Sequence, residues 1–85
     1  MKREEIQEVA RRQPFVPFRV TLTTGATYDV RHPELIMLGV RSAAIGIPRE
    51  PNGGYYERII HIDLAHVVAL EVLSVAPPSS NGPSE

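Results

Sequence analysis

His61, Asp63 and His66 stand in an H-x-D-x-x-H pattern, so metal binding is the first chemistry to weigh. On a strand, His61 and Asp63 would share a face, because side chains alternate. A turn after Asp63 would decide whether His66 joins them. Three N/O donors suit a divalent cation. No fourth ligand stands beside them, and the chain has no Cys to supply a thiolate. The competing reading is a strand end where Asp63 or His66 caps a turn, and no metal site is assigned. His32 and Glu34 flank Pro33. Acid–base work by such a pair needs a cleft, and a simple bend beside the proline accounts for both. Ser42, Ser74, Ser79, Ser80 and Ser84 lie in no nucleophile motif. Gly53-Gly54 is too short to cradle a phosphate. The sequence therefore points to no catalytic residue and no cofactor, and the chain reads as a protein that is not an enzyme.

Recognition is the second class of chemistry. Tyr55 and Tyr56 follow a Gly-rich loop, with Arg49 and Arg58 on either side. Aromatic rings beside guanidinium groups stack bases or grip a peptide. Strand propensity explains the tyrosines as well. Arg31 and Arg41 complete the candidate contact set for a protein or RNA partner. Of the nine basic residues only Lys2 is not Arg, and the formal net charge is −1. That balance lacks the positive excess of most nucleic-acid proteins, so RNA is a possible partner but not the favoured one.

These side chains need elements to position them. Residues 2–13 read as a helix, with Ile6, Val9 and Ala10 forming a narrow apolar stripe. Glu4 and Glu5 in the first turn and Arg11 and Arg12 in the last suit the helix dipole, and Glu8 is spaced to pair with Arg12. Pro14 and Pro17 end the helix. Residues 18–24 alternate, with Phe18, Val20 and Leu22 on one face, and Thr24-Gly25 turns the chain into a second strand over 26–31. His32-Pro33-Glu34 predicts a bend or bulge. Further strands are expected over 35–40, 43–47, 55–62 and 67–73, with a loop over 48–54 and one tight turn over 63–66. Residues 77–85 contain no large apolar side chain and are expected to be disordered. The 85-residue chain is thus read as one small domain over residues 1–76. It has no membrane-length apolar run and begins with charged residues, so a cytoplasmic, membrane-free protein is expected.

One helix, then short strands, with a single helical turn before the last, describes a mainly β fold: a small antiparallel barrel of five or six strands. The order resembles the Sm-like fold, one of the small SH3-like barrels. The segment Val20-Thr21-Leu22-Thr23-Thr24-Gly25-Ala26-Thr27-Tyr28 is similar to the first Sm motif, in which an apolar strand meets a Gly turn and another apolar residue. The resemblance implies a closed barrel, rings formed by pairing of edge strands, and RNA binding at the ring. The chain departs from the family in places. Val30 stands near the family's second Gly, residues 32–37 replace its polar pore segment, and Ile59-Ile60-His61-Ile62-Asp63 replaces its fourth-strand signatures. The chain is also similar to small uncharacterised bacterial proteins that share its RRQPF-x-PF and DVRHPE strings, a likeness that carries no function.

Surplus apolar surface is the most informative feature. Residues 35–40, LIMLGV, are apolar on both strand faces. Over 67–73, Val67, Ala69 and Leu73 face outward if Val68, Leu70 and Val72 face in. One short helix cannot cover both, so Leu35, Met37, Val67, Ala69 and Leu73 are expected to form an oligomer interface. The leading expectation is a non-enzymatic binding or assembly module that self-associates through barrel edges. An Sm-like RNA-binding protein ranks second and a small metal-dependent enzyme third.

Overall fold

The computed structural model describes residues 1–50 and 55–73. Gly53-Gly54 and the tail over 77–85 lie outside the described residues. Helix α1 (Arg3–Ala10) is followed by strands β1 (Phe18–Leu22), β2 (Thr27–Val30), β3 (Ile36–Leu38), β4 (Ser42–Pro48), β5 (Tyr56–Asp63) and β6 (Val67–Val72). Single 3₁₀ turns, Pro33–Leu35 and Leu64–His66, precede β3 and β6. The order agrees with the alternation in the sequence.

Helix α1 starts where the Glu5 carboxylate accepts the Lys2 backbone N–H at 3.0 Å, leaving negative charge at the helix start. It is shorter than the expected 2–13. Arg11 is already its C-cap, and the residue before Pro14 is kept out of helical geometry. Arg12 therefore leaves the helix, and its i, i+4 partnership with Glu8 is absent among the described ion pairs. Ile6 and Val9 enter the core, as the narrow stripe requires. Arg3 Nε donates to the Gly39 carbonyl at 3.0 Å, fixing α1 beside the turn after β3.

The strands form two antiparallel three-stranded sheets, ordered β2-β1-β6 and β3-β4-β5. No ladder joins the two sheets among the described residues. In the first hairpin Gly25 adopts φ +93°. Its N–H donates to the Leu22 carbonyl at 2.9 Å, and the Leu22 N–H donates to the Ala26 carbonyl at 2.8 Å. A glycine reaches that backbone region without the Cβ penalty. The core lies between the sheets and under α1, with Phe18, Ile6, Ile45, Val20 and Val30 fully buried.

Two bulges correct the expected faces. Leu22 pairs with Val67 and Thr21 with Ala69, so Val68 is an extra residue in β6. Val67 consequently turns inward to 3 % exposure and Val68 outward to 58 %, the reverse of strict alternation. The second bulge lies in β5. Ile47 pairs with Arg58 but Pro48 with Tyr56, leaving Glu57 extra. Pro48 has no N–H to give the ladder. Leu35 also differs from expectation. It is 3 % exposed and belongs to the 3₁₀ turn, where its side chain covers Gly46. A Cβ on Gly46 would lie 3.2 Å from Leu35 Cδ2 and 3.0 Å from Tyr56 Cβ. No helix among the described residues is long and apolar enough to cross a membrane.

Candidate functional site

Residues Arg19 and Asp29 face each other across the β1–β2 ladder, on the side opposite the buried Phe18 and Val30. The pairing follows from the Gly25 turn, which sets the register of the hairpin. Arg19 Nε donates to Asp29 Oδ1 at 2.7 Å and Nη2 to Oδ2 at 3.2 Å, a fork-on-carboxylate contact. Arg31 Nη2 reaches the same Oδ2 at 3.4 Å. Glu71 on β6 lies 3.9 Å from the Arg19 guanidinium, completing a row of alternating charge across the sheet. Hydrogen bonding from Arg19 holds the Asp29 carboxyl below the ordinary carboxylate range. Partial burial opposes this less strongly, and the charges of Arg19 and Arg31 reinforce it. The same contact raises the Arg19 guanidinium further.

Beside this row opens a cleft of ≈ 530 Å³, bounded by β2 and by the facing ends of β4 and β5. Arg19, Arg31, Arg49 and Arg58 all line it, with Asp29 as its one carboxylate and Tyr28, Leu35, Ile47 and Pro48 as its less polar wall. Arg49 Nε approaches Glu57 at 3.8 Å, an exposed and loose pair. The Arg58 side chain has no hydrogen bond or ion pair with any described residue.

The structure therefore divides the expected contact residues. Arg31, Arg49 and Arg58 converge in the cleft. Tyr55 and Tyr56 line a neighbouring hollow with Arg49, Glu50 and Glu57. The β5 bulge separates them from Arg58 by turning Tyr56 over Gly46, onto the outer face of the second sheet. Arg41 lies elsewhere, near Met1, Arg3 and Asp63. Arg19 was not among the expected residues. Its signal was present, since the alternation of FRVTL places it opposite Phe18 and the hairpin register sets it across from Asp29.

Of the expected interface residues, Met37 is 74 % exposed on β3. Ala69 is exposed beside Thr21, and Leu73 is half-buried, its N–H donating to the Pro17 carbonyl at 2.8 Å. Leu35 and Val67 belong to the core instead, one because it plugs the space over Gly46 and the other because the bulge inverts its face. The exposed large apolar residues among the described residues are Met37, Val40, Tyr56, Ile59, Val68 and Val72, together with Tyr55. Met37, Ala44, Tyr56 and Ile59 share one hollow on the outer face of the second sheet.

His61, Asp63 and His66 are exposed. Asp63 Oδ1 accepts the Ala65 N–H at 2.9 Å and so caps the 3₁₀ turn. No three His, Asp or Glu residues gather into a metal-binding group among the described residues. No family model matches the chain, and no curated protein or solved structure matches it significantly.

Proposed function

We propose that the chain is a non-enzymatic assembly module of the Sm-like or SH3-like barrel type, in which β5 of one copy pairs with β6 of the next. The carrying observation is that, among the described residues, neither strand has a strand partner on its outer edge: β5 lies outermost beside β4, and β6 outermost beside β1. Each carries exposed apolar side chains, Tyr56 and Ile59 on β5 and Val68 and Val72 on β6. A bare edge is a template for another chain, and joining two different edges is a head-to-tail contact that builds a ring when the rotation closes. On this reading the two sheets are the halves of a bent barrel, hinged at the Pro33–Leu35 turn. A net charge of −1 and the separation of Arg41 from the arginines of the cleft favour assembly over RNA binding.

Size-exclusion chromatography with light scattering tests the reading. The wild-type chain should run as a defined oligomer. The double variant Ile59→Lys, Val72→Lys puts a charge on each edge at exposed positions, so it should run as a folded monomer by circular dichroism. A wild-type chain that stays monomeric at hundreds of micromolar overturns the proposal.

A further inference from the structure

We infer that the arginine-lined cleft beside β2 is a binding site for a phosphate-bearing small molecule of nucleotide size. Among the described residues, four guanidinium groups line it against one carboxylate, in a chain whose overall net charge is −1. Like charges gathered this way repel unless an anion lies among them. Asp29 is already engaged by Arg19 and Arg31. Its grip orients those two side chains and leaves, in the lining, Arg58, which has no side-chain partner among the described residues, and the loosely paired Arg49. Guanidinium forks match phosphate oxygens in pairs.

Size and shape narrow the ligand. The ≈ 530 Å³ of the cleft falls within the range of about 300–1,000 Å³ usual for small-molecule sites. Beside the arginines, the half-buried Tyr28 and Ile47 offer a less polar surface on which a planar ring can lie. The outer edge of β2 has no strand partner among the described residues, so its backbone groups can meet the edge of that ring. A nucleotide joins both chemistries in one molecule. Every described residue that lines the cleft comes from one chain.

Isothermal titration of the full chain with ADP and with adenosine, in buffer well below about 0.15 M salt so that charge is little screened, tests the inference. ADP should bind saturably and adenosine should not. Arg58→Gln should weaken ADP roughly tenfold, the size of one lost charged hydrogen bond. The Arg58 side chain is exposed and has no partner among the described residues, so that variant has no reason to misfold. Arg41→Gln, remote from the cleft, should leave binding unchanged. The inference fails if ADP does not bind, if adenosine binds equally, or if Arg41→Gln weakens binding as much as Arg58→Gln. It also fails if single-stranded RNA binds tightly while ADP does not.

Discussion

At the scale of single residues, the Arg19–Asp29 contact links stability to pH. The folded carboxyl titrates lower than an unfolded one, so folding is favoured while Asp29 is ionised. That contribution is fully present above the ordinary value of about 3.9 and is lost as the pH falls through the lower folded value. Asp29→Asn should lower the urea midpoint at neutral pH and bring it together with the wild-type midpoint in strong acid. Midpoint curves that stay parallel across the whole acid range would show that the contact is energetically silent. Both partners were readable from the sequence: each lies opposite a buried neighbour, and a Gly turn sets them face to face. Proximity along the chain does not put side chains on one surface. Tyr56 and Arg58 look like one recognition cluster, yet the extra Glu57 in β5 sends them to different surfaces.

At the scale of elements, the helix, the first hairpin, the bend at Pro33 and the turn before the last strand were all legible, because Pro, Gly and clean alternation each have a local physical meaning. The bulge at Val68 was not legible. Nothing local distinguishes Val67 from Val68; the choice is made by β1, through the pairing of Leu22 with Val67 and Thr21 with Ala69. The central strand of the second sheet behaves similarly. SAAIGIP reads as a small, weakly apolar strand, but Ile45 is fully enclosed between its partners Ile36 and Ile60. Ile45→Ala should cost about 2–5 kcal/mol. Leu22→Ala should cost less, since Leu22 only borders the core. Urea unfolding of both variants checks the ranking, and a neutral Ile45→Ala would show that the second sheet packs differently.

At the scale of the whole molecule, few residues must support two sheets and a helix. A domain this small buries a modest share of its surface, so an assembly through β5 and β6 would add stability by mass action. The melting temperature of the wild-type chain should rise with protein concentration, whereas the Ile59→Lys, Val72→Lys variant should melt at one temperature throughout. A concentration-independent wild type would argue against coupled folding and assembly. The order β2-β1-β6 also sets a timetable. The first strand of the chain lies in the middle of its sheet, and the neighbour on its far side is the last strand. Pairings this distant in sequence form slowly. During synthesis on the ribosome, β1 and β2 can close into their hairpin early, but Phe18 and Val20 then wait on a strand paired along one edge only until residue 72 has emerged. In that interval the nascent chain exposes an edge that the finished fold conceals, and crowded neighbouring copies meet it first.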